Sequence, residues 1–96
     1  MSDLVEKAVT LLNERIAAGA FAGTAKFDIL EEGQIMLDSD GARAGDEEAA
    51  VTLRADAETF QSILEGDTNP TSAFMSGQLE VDGDMGMAMQ LASALA

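Results

Sequence analysis

Hydrophobic and polar positions follow two different periods along this chain, and each change of period marks the edge of an element. Leu4, Ala8, Leu11, Leu12 and Ile16 recur at helical spacing. Ser2 or Asp3 is placed to cap that helix, Asp3 and Glu6 lie near its positive end, and Gly19 is placed to stop it. From Thr24 to Glu31 the period becomes two, with Ala25, Phe27 and Ile29 on one side and Lys26 and Asp28 on the other. Glu32-Gly33 reads as a turn into a second strand, Gln34 to Asp38, and the pair reads as a hairpin. Ser39 to Glu48 is polar and acidic, a loop with at most one short strand around Ala42-Arg43. A further strand is expected over Ala49 to Arg54 with Val51 and Leu53 inward. Next comes a helix capped by Asp56, on which Phe60, Ile63 and Leu64 share a face before Gly66 ends it.

The closing third is the most distinctive. Asn69-Pro70 opens a short helix, since Asn is a good N-cap and Pro suits the first helical position, and Gly77 stops it. Gln78 to Asp82 alternates Leu79 and Val81 with polar residues, as a half-buried strand does. Gly83-Asp84 turns the chain, and Asp84 can cap a last helix from Met85 to about Leu95. That helix is apolar nearly all round, with Gly86, Gln90 and Ser93 as its polar exceptions, so it needs apolar partners on two sides. Met75, Met85, Met87 and Met89 crowd this region, and methionine repacks readily around variable shapes. Strands at short spacing with helices collected at the ends predict an α+β fold. It would be built on a mainly antiparallel sheet of four to five strands covered by helices, within one domain spanning residues 1–96.

The frame N-P-x-x-A-F-x-x-G-x-L-x-x-x-G-x-M-G-x-A-M-x-L, from Asn69 to Leu91, resembles the closing segment of the sterol carrier protein type 2 family. V-T-L-R-A-D-A-E-T-F, from Val51 to Phe60, resembles that family's strand followed by a helix. The resemblance implies an apolar tunnel that holds a lipid: a fatty acid, a phospholipid, a sterol-like molecule or a quinone. It also implies that the chain sequesters or transfers such a ligand without chemistry. The residues expected to line or wall the tunnel are Phe60, Ile63, Leu64, Phe74, Met75, Leu79, Val81, Met85, Met87, Met89, Leu91 and Leu95. The family's strand before the last helix is commonly basic, whereas this chain has Gln78, Glu80 and Asp82 there, and Gln90 where a Lys is common. Those departures weigh against an acyl-CoA ligand and against docking on anionic membranes.

Charge sharpens this picture. Eighteen acidic residues against five basic ones give a net charge of −13, which repels nucleic acid. The acidic excess reads as a solvated surface that keeps an apolar protein in solution. No apolar run approaches the ~20 residues of a membrane span, and M-S-D-L-V-E-K shows no signal-peptide pattern. Ala94-Leu95-Ala96 is not a peroxisomal address. A stand-alone, bacterial-type domain in the cytoplasm is the expectation, with at most transient membrane contact.

Catalysis finds little support. The chain has no His, Cys, Tyr or Trp, which removes the commonest general base and the best nucleophile. Asp38 and Asp40 begin an oxygen-ligand loop that lacks its closing Glu, because position twelve is Ala49. Gly83-Asp84-Met85-Gly86 has no phosphate-loop frame, so no cofactor or metal is expected. Two other roles remain open at this stage. The apolar last helix could bind a partner protein or a second copy of the chain, or the domain could present a lipid or quinone intermediate to an enzyme complex.

Overall fold

A computed structural model describes residues 3–16, 21 and 23–95; the Gly19 stop and the Ser2 cap lie outside them. In chain order the elements are α1 (Asp3–Arg15), β1 (Ala25–Ile29), β2 (Gly33–Asp38), β3 (Gly41–Ala44), β4 (Val51–Ala55), α2 (Ala57–Glu65), α3 (Pro70–Ser76), β5 (Glu80–Gly83) and α4 (Met85–Leu95). The five strands form one sheet in the order β3-β2-β1-β4-β5. All neighbours are antiparallel except β1 and β4, which run parallel in the centre. This is the α+β layered fold that the pattern predicts.

The parallel pair requires a crossover, and residues 45–50 supply it. They leave the β3 edge and travel over the outer face of the sheet, held by Gly45 N donating to Gln34 O (3.1 Å) and Lys26 Nζ to Asp46 (2.8 Å). Ala50 N donates to Thr24 at the far side. Gly45 lies against Met36, which is thereby buried on the face opposite the main core. The acidic run Asp46 to Glu48 is thus partly engaged: Asp46 pairs with Lys26, and Glu47 with Arg43.

The inner face holds the core. Its rungs read straight across the sheet, Ile35–Phe27–Leu53–Val81 and Leu37–Ala25–Val51–Gly83. α1 lays Val5, Ala8, Leu12 and Ile16 against β2, β3 and α2. Val5 is the deepest of its first turn, whereas Leu4 and Leu11 are half-buried. The seam is therefore rotated slightly from the expected Leu4–Leu11 face. The Asn13 side chain donates to Ala42 O (3.1 Å) and accepts from Ala42 N (2.8 Å), closing groups that the edge strand β3 would otherwise offer to another chain. α2 seats Phe60 edge-on against Phe27 with ring centroids 5.7 Å apart.

Several strand ends differ from the sequence pattern: β4 runs Val51–Ala55 rather than Ala49–Arg54, β1 starts at Ala25 and β5 ends at Gly83, and two further shifts have hydrogen-bonding reasons. The Gln78 and Leu79 amides donate to Ala73 O and finish α3, so β5 starts at Glu80 rather than Gln78. Glu32 N donates to Ile29 O and Glu31 takes φ +68°, so β1 ends at Ile29 and the hairpin loop is three residues long.

Gly83 is irreplaceable in a physical sense. Its φ is +107°, and a Cβ there would overlap the Ala50 carbonyl oxygen and approach Val51 Cα to 3.0 Å. Both neighbours are backbone and cannot yield. Gly83→Ala should therefore lower stability by about 3 kcal/mol, more than a cap substitution does, and chemical denaturation measures it.

Two carboxyls, the half-buried Asp38 and the exposed Asp56, carry a pH signature. Hydrogen bonding from Arg43 holds Asp38 below the ordinary carboxylate value of 3.8. The Thr59 side chain and amide hold Asp56 below it likewise. Stability contributed by a depressed carboxyl is complete above its unfolded value and is lost as pH falls through the lower native one. In a urea series descending through pH 3.8, the D38N/D56N variant should lose less stability than the parent.

Candidate functional site

The site is a crevice between α3, α4 and the inner face of the sheet. Its floor is most of one rung, Phe27, Leu53 and Val81, which the β1–β4–β5 register sets side by side. Phe60 and Ile63 of α2 close one end, and Leu79 enters from the turn before β5. α3 contributes Pro70, Thr71 and Phe74. α4 contributes Met85, Ala88, Ala92 and Leu95, whose i, i+3, i+7, i+10 spacing is one stripe of the helix. Two alanines in that stripe keep α4 from filling the crevice.

Local sequence positions these walls. α3 starts where Asn69 Oδ1 accepts from the Thr71 (2.8 Å) and Ser72 (3.4 Å) amides, and stops at Gly77 in the left-handed region. α4 starts where Asp84 Oδ1 accepts from Met87 N (3.1 Å) and Asp84 O from Ala88 N. Its other end is held by Arg15 of α1, whose Nη1 donates to Leu95 O at 3.1 Å and places a cation at the helix's negative end. The cavity so formed is small, about 40 Å³. Its lining is apolar but for the Thr71 hydroxyl, and Phe74 and Met85, 41% and 46% exposed, stand at its opening.

Of the twelve expected lining residues, Phe60, Ile63, Phe74, Leu79, Val81, Met85 and Leu95 surround this cavity. The other five lie elsewhere. Leu91 is fully buried on the α4 flank that faces the sheet, and Leu64 packs beside α1 with Leu4, Leu11 and Ile29. Met87 is half-buried against Gly23. Met75 and Met89 face outward, 81% and 61% exposed. The pattern of residues alone missed Phe27, Leu53, Pro70, Thr71, Ala88 and Ala92. The signal for the two alanines was available in their helical spacing from Met85 to Leu95.

No charged or polar side chain is buried among the described residues, and no group of three or more acidic residues is arranged to hold a metal ion. No described helix is long and apolar enough to cross a membrane.

Comparison with known proteins agrees with this architecture. A 64-residue segment is 41% identical to hydroxysteroid dehydrogenase-like protein 2 of Danio rerio, covering 62% of this chain but only 15% of that protein. The sterol carrier protein domain 2 of Helicoverpa armigera superposes with a TM-score of 0.77 at 24% identity, over 96% of this chain and 85% of that one. Sterol carrier protein 2 of Aedes aegypti, solved in complex with the C16 fatty acid palmitate, superposes with a TM-score of 0.78 at 20% identity, over 100% and 97%. The profile of the SCP-2 sterol transfer family matches residues 6–96, and the chain belongs to that family.

Proposed function

We propose that this chain is a non-catalytic lipid-binding domain, taking an alkyl chain or similarly elongated apolar ligand into the crevice between α3, α4 and the sheet. The observation that carries this reading is the crevice itself. Twelve of its thirteen lining residues are apolar, and α4 withholds bulk from it at Ala88 and Ala92. The palmitate held by the Aedes relative supports the same ligand class here. The Danio relative's name suggests an enzyme, but the shared segment is a small part of that protein. The crevice offers no general base and no nucleophile beyond one threonine hydroxyl.

The volume explains how such a site works. Ligand pockets for small molecules run from about 300 Å³ upward, whereas this cavity holds about 40 Å³. Keeping 300 Å³ open and empty would cost on the order of 7 kcal/mol at ~24 cal/mol per Å³. That rivals the whole stability of a small domain, about 5–15 kcal/mol. The empty protein therefore closes over its own apolar walls, and ligand replaces those contacts with its own at about 25 cal/mol per Å² of apolar surface removed from water.

A second reading rests on Met75 and Met89, which stand exposed on α3 and α4. Such a surface suits a protein partner to which the domain presents its lipid.

Thermal unfolding with and without a saturating long-chain lipid tests the main reading. At a hundredfold excess over Kd the linkage is about 2.7 kcal/mol, which in a chain of this size raises Tm by roughly 10 °C or more. Ala92→Phe should fill the crevice, leave the unliganded Tm within a few degrees of the parent, and abolish the lipid-induced rise. Absence of any rise across alcohols, fatty acids, phospholipids and quinones would remove the lipid-binding reading.

A further inference from the structure

The crevice holds no cation to receive an anionic head, and the five basic residues account for themselves one by one. Lys26, Arg43 and Arg54 alternate with the inward residues of their strands and so stand on the opposite face of the sheet. There they are engaged by Asp46, by Asp38 and Glu47, and by Asp28 and Glu80. Arg15 lies at the far end of α4 from Met85, where one of its N–H groups donates to the Leu95 carbonyl. Lys7 lies in a separate crevice between α1 and α2.

Backbone donors are engaged in part. The Thr71 and Ser72 amides that open α3 donate to Asn69, and at α4 the Met87 and Ala88 amides donate to Asp84, whose carboxylate adds a negative charge at that end. α3 and α4 contain no ionisable residue in a chain of net charge −13, and Asp67, Asp82 and Asp84 stand just outside them. A carboxylate or phosphate head at this opening would meet the field of these carboxylates with no cation in the lining to offset it. Thr71 is the one polar side chain of the lining. It is exposed, and its hydroxyl can donate to or accept from a ligand hydroxyl or carbonyl.

We propose that the crevice selects lipids with an uncharged head, such as a long-chain alcohol, over anionic lipids of the same chain length, with Thr71 as the head-group contact. The inference rests on the lipid-binding reading above and narrows it.

The test compares 1-dodecanol with dodecanoate, which differ only at the head, as competitors of a fluorescent lipid probe at pH 8 in low salt. Dodecanol should bind about tenfold more tightly, the scale set by one uncompensated charge at a desolvated, like-charged site. Raising the salt should narrow the gap by screening the surrounding carboxylates. Thr71→Lys places a cation at the opening and should bring dodecanoate to within about twofold of the alcohol. Thr71→Val, which keeps the shape, should weaken dodecanol, whose hydroxyl loses its partner. Equal or tighter binding of dodecanoate by the parent protein overturns the selectivity while leaving lipid binding intact, and Arg15→Gln would then show whether that guanidinium receives the head. Failure of both ligands to bind overturns the lipid reading itself.

Discussion

Everything the site needs follows from the register between β1 and β4. Pairing Phe27 with Leu53 in parallel puts their side chains on one rung, and the antiparallel addition of β5 extends that rung to Val81. A one-residue slip of β4 against β1 would turn Leu53, and Val81 with it, away from the face that carries Phe27, because strand side chains alternate with a period of two. Phe60 then packs edge-on to Phe27, which fixes α2 relative to the same rung. The strand geometry is secured from the opposite face, where Arg54 bridges Asp28 of β1 and Glu80 of β5 across the central pair. These are exposed ion pairs of small individual worth. Their contribution is to favour one alignment over others of similar apolar burial.

Charge and apolarity are sorted to different sides of the sheet. The outer face and the crossover carry Lys26, Arg43 and Arg54 with their carboxylate partners. α3 and α4 carry no charge and expose Phe74, Met75, Met85 and Met89. Eighteen acidic residues are carried by the rest of the chain. The same sorting leaves the crevice without a cation.

The helices after β4 were legible because capping residues announce them. Asp56, Asn69 and Asp84 each cap the helix that follows them, and Gly66 and Gly77 close two of those helices in left-handed geometry, as their positions predict. Strand boundaries were less legible. They depend on where a neighbouring helix finishes its hydrogen bonds, as at Gln78 and Leu79, and sequence period does not reveal that. The walls of the crevice were legible where a face had two distinct sides, as on α2. α4 has no polar side to orient it, so Met87, Met89 and Leu91 could not be separated from Met85 and Leu95 by period alone. Size was the missing cue: Ala88 and Ala92 mark the concave stripe by what they lack, and a reading that weights bulk overlooks them.

The small volume of the closed crevice also determines which wall yields. α2 anchors Phe60, Ile63 and Leu64 in the core, and α4 anchors Leu91 and Leu95 while tied down at Asp84 and Arg15. α3 buries only Pro70 and Ala73 and spans seven residues between two loops that begin with left-handed glycines. Burial contributes stability roughly in proportion to apolar area, about 25 cal/mol per Å², so moving α3 forfeits the least. Moreover, Phe74 and Met85 already lie partly in solvent at the opening, and the alkyl chain proposed above would cover the area they expose. The net cost of opening is therefore lowest along the line between α3 and α4. That line runs through the uncharged surface of the molecule and past the Thr71 hydroxyl.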